Sequence, residues 1–151
     1  MAKVVLFSLC GQLYGVDALR VRSIERLPEL RSFPGSDRRV LGVANIRGNV
    51  IPVVDLASAL RIDTALCSER QRLLIMETGG EEVAFAVETV REVVDVDTGS
   101  AAPPHSLAGD GAAFISGVLL WREEILLLLR SERVLEREEA IELTALAGGT
   151  A

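Results

Sequence analysis

Few residues in this sequence could carry out acid–base, nucleophilic or metal chemistry, and those few are poorly spaced for it. His105 is the single histidine and follows Pro103-Pro104, so we expect a solvated loop residue rather than a member of a catalytic triad or a multi-histidine metal site. Acidic residues occur as adjacent pairs such as Glu81-Glu82 and Glu123-Glu124, and neighbours on a strand point to opposite faces. The sequence therefore predicts no enzyme, no cofactor and no metal.

The cysteines and the glycine pairs offer no chemistry either. Cys10 and Cys67 are the two cysteines of the chain, too few for a disulfide framework and without metal-ligand spacing, so we expect two free, buried or half-buried thiols. Gly79-Gly80 is expected to close a hairpin, because a phosphate-binding loop would have to open a helix.

The most informative stretch runs from Gly42 to Leu56. Its first part predicts a strand in which Val43, Asn45 and Arg47 share one face, opposite Ala44 and Ile46. An asparagine and an arginine on one face of an otherwise apolar hairpin suggest a surface that contacts a partner.

The second part of this stretch predicts a turn, another strand and a helix. Gly48-Asn49 lies between two β-branched runs, which favours a two-residue type II′ turn. Pro52 cannot donate a hydrogen bond, so the second strand should lie at a sheet edge or carry a bulge. Asp55 is positioned to cap a short helix from Leu56 to Leu60.

The pattern Gly-Val-x-Asn-Ile-Arg-Gly-x-Val-Ile-Pro-Val-Val-Asp-Leu in this stretch resembles the signature of the CheW family, the adaptors of bacterial chemotaxis signalling complexes. The resemblance extends upstream through Tyr14-Gly15-Val16-Asp17 and downstream to the strands near Phe85 and Leu126, covering roughly residues 4 to 135. It implies a fold of two small SH3-like barrels that share an apolar seam.

Read in order, the chain predicts an all-β protein: short strands, little helix, and a C-terminal helix from Ser131 to about Ala147. Pairs of similar residues recur at one constant offset: Gly42-Val43 with Gly117-Val118, Arg47 with Arg122, and Val50 with Ile125. Such internal similarity predicts a single domain of two like lobes, at about 14–60 and 85–135, each closed into a five-stranded barrel.

The composition of the chain indicates which classes of partner it can bind. The chain has 151 residues and a net charge of −6, which argues against binding to nucleic acid. No segment is long enough to span a bilayer, and the apolar run near the start is too short for a signal peptide, so we expect a cytoplasmic protein without membrane insertion. Apolar residues make up 49% of the sequence, which suggests a large partner surface.

The family resemblance implies two partners: the cytoplasmic tip of methyl-accepting chemoreceptors, docked between the lobes, and the regulatory domain of the histidine kinase CheA, paired with the barrel ends. It places the protein at receptor arrays on the inner membrane. The contact residues that it implies by position are Val21, Gly42, Asn45, Arg47, Gly48 and Val93.

One position departs from the family pattern. Ser23 stands where family members often carry an acidic residue able to pair with the motif arginine, and Glu25 on the same strand face is a possible substitute. Two other functions stay open: a paralogue that scaffolds a non-flagellar chemosensory pathway, and a stand-alone ligand-binding barrel.

Overall fold

The computed structural model describes residues 1–32, 34, 39–78, 80–103 and 111–134. Strands dominate this part of the chain: β1 (Ala2–Leu9), β2 (Gln12–Asp17), β3 (Val21–Arg26), β4 (Val40–Ile46), β5 (Asn49–Asp55), β6 (Arg72–Thr78), β7 (Glu81–Val87), β8 (Thr89–Val96), β9 (Ile115–Trp121) and β10 (Glu124–Leu129). The all-β prediction is confirmed.

The helices within the described residues are short. They are α1 (Leu56–Ala59), α2 (Gly111–Phe114), the 3₁₀ turns Ala18–Arg20, Thr64–Leu66 and Thr98–Ser100, and a helical turn over 131–134. The rest of the predicted C-terminal helix, up to Ala147, and the predicted loop around His105 lie outside the described residues.

The strands form two five-stranded sheets, in the orders β8-β1-β2-β10-β9 and β3-β6-β7-β5-β4. We call the first the terminal barrel and the second the central barrel. All strand pairs are antiparallel except β2–β10 and β5–β7. The parallel ladder to β7 begins at Val53, one residue beyond Pro52, so the missing N–H of the proline is tolerated. We predicted an edge strand or a bulge at Pro52, but β5 lies inside the sheet and the irregularity of the β4–β5 ladder lies in β4, between Val40 and Gly42.

Each sheet is closed by a backbone bridge between its two edges. Arg31, just beyond β3, exchanges hydrogen bonds of 3.0 and 2.9 Å with Val43 of β4. Ala102, beyond β8, makes two bonds of 2.8 Å with Val118 of β9. Closure of this kind removes exposed sheet edges, and it gives both sheets the small barrel form that the resemblance implied.

The two barrels have the same topology. Strands five places apart along the chain occupy equivalent positions in the two sheets, so that β1 corresponds to β6 and β2 to β7. The two parallel pairs, β2–β10 and β7–β5, correspond in the same way. The lobe boundaries that we predicted do not separate the barrels, however. The stretch 14–60 begins in β2 of the terminal barrel and continues in the central one, because the β1–β2 hairpin inserts between β8 and β10.

Central strands are buried on both faces, which accounts for much of the apolar composition. In β1, Leu6 points into the terminal barrel, whereas Phe7 points into the seam between the barrels. In β7, Ala84 points into the central barrel and Phe85 into the seam. Buried apolar side chains such as Leu6 and Ala84 occupy the described interiors of the two barrels, as is usual in barrels of this size.

Tyr14 contributes an aromatic pair to the seam. Its ring stacks on Phe7 with 5.8 Å between ring centroids and an interplanar angle of 18°. Desolvation by burial raises the pKa of the Tyr14 hydroxyl above its usual value of 10.0, because the phenolate would lose its hydration in this apolar layer.

The expectation of two free thiols is wrong. Cys10 and Cys67 form a disulfide, with their Cα atoms 4.0 Å apart. Cys10 lies in the turn between β1 and β2, and Cys67 follows the 3₁₀ turn Thr64–Leu66 in the connection to β6. Folding brings together two segments that are distant in sequence, so spacing alone could not reveal the pair. The bond links the two barrels across the seam.

Asp55 also acts differently from our prediction. Its side chain makes no hydrogen bond to the backbone of α1. Instead, its two carboxylate oxygens accept hydrogen bonds from Arg70 Nε and Nη2 at 2.9 and 3.1 Å, and Ser58 Oγ donates to it at 2.9 Å. Asp55 is buried, and a buried carboxylate is stabilised far better by a two-pronged guanidinium than by a single amide.

Candidate partner interface

The β4–β5 hairpin has the two-faced character predicted for it. Ala44 and Ile46 are buried in the central barrel, whereas Asn45 and Arg47 are exposed. The alternation follows from the pleat of β4, whose inner face fills the barrel and whose outer face meets solvent. The hairpin therefore presents polar groups on a firmly anchored strand.

The turn of this hairpin is centred one residue earlier than predicted. Ile46 pairs with Asn49, so Arg47 and Gly48 are the two central residues, with φ of 53° and 87°. Positive φ at both positions defines a type I′ turn, which suits the right-handed strand twist. The predicted Gly48-Asn49 type II′ turn is therefore wrong, and Arg47 lies at the hairpin tip rather than at a strand end.

Asn45 holds this turn in place. Its Oδ1 accepts a hydrogen bond of 2.9 Å from the backbone N–H of Gly48. Asparagine commonly satisfies nearby backbone groups in this way. Asn45 thus has a structural role in addition to its exposed position.

Arg47 pairs with Glu25, the substitute that the sequence suggested for the missing acidic residue at Ser23. The distance from Arg47 Nη2 to Glu25 Oε2 is 3.1 Å, although this oxygen accepts no well-aligned hydrogen bond. The Arg47 side chain is 74% exposed and that of Glu25 is 18% exposed. Glu25 lies on β3, at the sheet edge opposite β4, so the ion pair spans the closed edge of the barrel and keeps the guanidinium over the hairpin.

An apolar surface and an acidic cleft adjoin the arginine. Val50, directly across from Asn45 in the hairpin, is 74% exposed. Beside it lies an open cleft of about 320 Å³, lined by the β5 residues Asn49 to Pro52, by Gly80 of the β6–β7 turn, and by Glu81 and Glu82 of β7. An exposed apolar residue flanked by charges of both signs is suited to binding another protein.

The structure brings together three of the six predicted contact residues. Asn45, Arg47 and Gly48 are exposed at one hairpin tip. Gly42 is buried, and a Cβ placed on it would meet the Arg31 carbonyl oxygen at 2.3 Å. Its φ of 150° and this close approach give it a role in closing the barrel.

The remaining two predicted contact residues lie elsewhere. Val21, at the start of β3, is half-buried and packs against the seam. Val93 is 52% exposed on β8, at the edge of the terminal barrel. Val50 was missed by the sequence reasoning; its signal was a β-branched residue beside the turn, which we read only as strand propensity.

The comparisons with known proteins agree on one family. A model of the CheW-like domain matches residues 3–139. The chain is 25% identical over 139 residues to the chemotaxis protein CheW of Bacillus subtilis (strain 168), covering 91% of this chain and 89% of that protein. It is 31% identical over 99 residues to protein FrzA of Myxococcus xanthus, covering 66% and 61% of the two chains.

A solved structure is similar over most of its length. The crystal structure of the scaffolding protein TtCheW from Thermoanaerobacter tengcongensis matches with a TM-score of 0.75 and 29% identity, covering 85% of this chain and 84% of that one. Among the residues described, no helix combines the length and the apolar character needed to cross a membrane.

The chain thus combines two closed barrels, a packed seam between them and a charged, exposed hairpin tip. The chain belongs to the CheW-like family, the scaffold and adaptor proteins of bacterial chemotaxis signalling.

Proposed function

We propose that this protein couples chemoreceptors to the histidine kinase CheA, and that the β4–β5 hairpin tip binds the regulatory domain of the kinase. The observation that carries the proposal is the placement of Arg47. Its backbone is fixed by a type I′ turn that Asn45 braces, and its side chain is largely exposed beside Val50. Because the backbone of Arg47 is already fixed, only its side-chain rotamers remain to be ordered on binding.

The receptor is proposed to bind at a different place, along the seam between the barrels. Val21 supports this assignment because it packs at the seam from the edge strand β3, and Val93 supports it as an exposed apolar residue on the corresponding edge strand β8. These roles would bring the protein to the cytoplasmic tips of a receptor array. A paralogue serving a non-flagellar chemosensory pathway would use the same two surfaces with different partners.

The test compares Arg47→Ala with Arg122→Ala, its counterpart in the terminal barrel. We expect Arg47→Ala to weaken binding to the purified CheA regulatory domain by some ten- to hundredfold, about 1–3 kcal/mol, in calorimetric titration. The matched Arg122→Ala variant should bind within about twofold of the unsubstituted protein. Thermal melts should place all three proteins within about 0.5 kcal/mol of one another.

Two results would contradict the assignment of Arg47 to the contact with the kinase domain. If Arg47→Ala bound the kinase domain normally, the hairpin tip would not be the contact. If the melt collapsed while the folded fraction still bound, Arg47 would be a structural residue. Receptor binding is measured separately with Val21→Asp and Val93→Asp, which should reduce capture by a receptor-tip fragment and leave kinase binding unchanged.

A further inference from the structure

A cluster of three ligand-type side chains lies where the two barrels meet. Cys10 Sγ, Cys67 Sγ and a Glu88 carboxylate oxygen lie within 4.8 Å of one another. They come from three separate segments: the β1–β2 turn, the connection before β6, and the junction between β7 and β8. We propose that, when the disulfide is reduced, these three residues bind one thiophilic divalent cation, with Zn²⁺ as the representative ion.

The burial of Glu88 is stronger evidence for a bound cation than the two sulfurs are. The residue is only 7% exposed, and the Ser68 backbone N–H donates to its Oε2. Among the described residues, no ion pair joins Glu88 to an arginine or lysine, in contrast to Asp55 and its partner Arg70. A buried carboxylate normally has a compensating charge, and a metal ion held by the adjacent sulfurs would supply it.

The donor set suits zinc. Cysteine sulfur at about 2.3 Å and carboxylate oxygen at about 2.0–2.2 Å are ordinary zinc ligands, and a tetrahedral site separates its ligand atoms by roughly 3.8 Å. Once the S–S bond is broken, the sulfurs must therefore move apart before the three ligand atoms can surround one ion. Both cysteines are half-buried, which leaves a path for the ion and room for water as the fourth ligand.

The chemistry makes metal binding and the disulfide mutually exclusive. A phosphine reductant takes oxygen from one water molecule, becomes the phosphine oxide, and converts the disulfide into two thiols. Binding of Zn²⁺ then replaces the two thiol protons, which are released to solvent.

The experiment is an anaerobic titration of the phosphine-reduced protein with Co²⁺, followed by displacement with Zn²⁺. We expect one equivalent to bind, with a thiolate-to-cobalt charge-transfer band that disappears when zinc is added. The oxidised protein should show no band. Cys10→Ser and Cys67→Ser, compared in the same reducing buffer, should lose the band.

Glu88→Gln is the decisive variant, because it keeps both thiols and an amide oxygen able to accept the Ser68 N–H. It should bind Co²⁺ at least about tenfold more weakly, the lower end of what loss of even an outer-shell partner costs a metal site. Glu81→Gln, an exposed position on β7, should bind like the unsubstituted protein. Near-ultraviolet circular dichroism establishes that each variant is folded at the assay temperature. The proposal would be overturned if the reduced, unsubstituted protein bound no more Co²⁺ than Cys10→Ser does. It would also be overturned if folded Glu88→Gln bound Co²⁺ with full affinity.

Discussion

Arg47 and Arg122 occupy the same position in two equivalent hairpin turns, one in each barrel. Both have positive φ, 53° and 50°, at the first central position of a two-residue turn. Each pairs with a glutamate on the opposite sheet edge, Glu25 at 3.1 Å and Glu92 at 3.3 Å. The difference lies in their surroundings, because Arg122 also covers the Trp121 ring, with its Cζ 4.2 Å from the ring centroid. The internal repeat therefore supplies a natural control for every experiment on Arg47.

The turn geometry predicts a variant in which stability and affinity move in opposite directions. Arg47→Asn places the residue that a type I′ turn prefers before Gly48. We expect the free energy of unfolding in urea to rise by about 0.5–1 kcal/mol, since a non-glycine residue in the left-handed region costs roughly 1–2 kcal/mol and asparagine tolerates it best. Affinity for the kinase domain should fall as in Arg47→Ala. Arg122→Asn should keep full affinity for the kinase domain, and its gain in stability should be smaller, because it also removes the contact of Arg122 with the Trp121 ring. Equal losses of affinity in both variants would contradict the assignment.

Two glycines of the predicted contact set should respond very differently to a methyl group. Gly42→Ala forces a Cβ against the Arg31 carbonyl that closes the central barrel, and we expect a loss of about 2–4 kcal/mol of unfolding free energy from overlap and backbone strain. Gly48→Ala meets no atom within 4 Å and bears only the cost of its positive φ, about 1 kcal/mol. Urea denaturation measures both. If both substitutions lowered the free energy of unfolding equally, the Arg31–Val43 backbone bridge would be able to shift and accommodate a methyl group at Gly42.

The inter-barrel disulfide should be a major part of the stability of the oxidised protein. Cys10 and Cys67 are separated by 57 residues, and cross-linking a loop of this size lowers the entropy of the unfolded chain by an amount worth about 2–4 kcal/mol. Reduction should therefore lower the melting temperature of the protein. Cys67→Ser should melt at the same lower temperature with and without reductant, and a melt that reductant does not change in the unsubstituted protein would count against the bond.

Because Tyr14 is buried, we expect the folded protein to lose stability at alkaline pH. It is the single tyrosine of the chain, so phenolate absorbance reports on this residue alone. Its pKa in the folded protein is raised above the usual value of 10.0, and the unfolded chain therefore loses this proton first as the pH rises. Its contribution to stability is fully present below pH 10 and is lost progressively between pH 10 and the folded pKa. The folded protein should form phenolate at higher pH than the protein in guanidinium; coincident titration curves would show that burial has no such effect.

Most of the fold could be predicted because its signals are local. Alternating residues such as Ala44 and Asn45 report strand faces directly. The turn at Arg47 was missed because hairpin register depends on strand pairing, and a shift of one residue leaves the composition unchanged.

The long-range features needed three-dimensional packing. Nothing near Cys10 in the sequence indicates Cys67, and nothing near Asp55 indicates that Arg70 takes its carboxylate away from the helix backbone. Likewise, the apolar composition suggested a large partner surface, whereas much of it lies in the seam around Phe7 and Phe85. In each case the partner is supplied by a segment that becomes a neighbour only when the chain folds.

The interleaved strand order has a consequence for how the chain assembles during synthesis. The central barrel is one uninterrupted segment, from Val21 to Val87, whereas the terminal barrel joins β1 and β2 to strands made last. Because domains generally fold as their segments emerge from the ribosome, the central barrel can close while β1 and β2 still lack their partners. Val4, Leu6 and Leu13, which line the terminal barrel, stay uncovered until β10 arrives. A chain whose translation stops before Glu124 would therefore contain a closed central barrel and a β1–β2 hairpin with an exposed apolar face. Such a face is expected to bind chaperones or to promote aggregation.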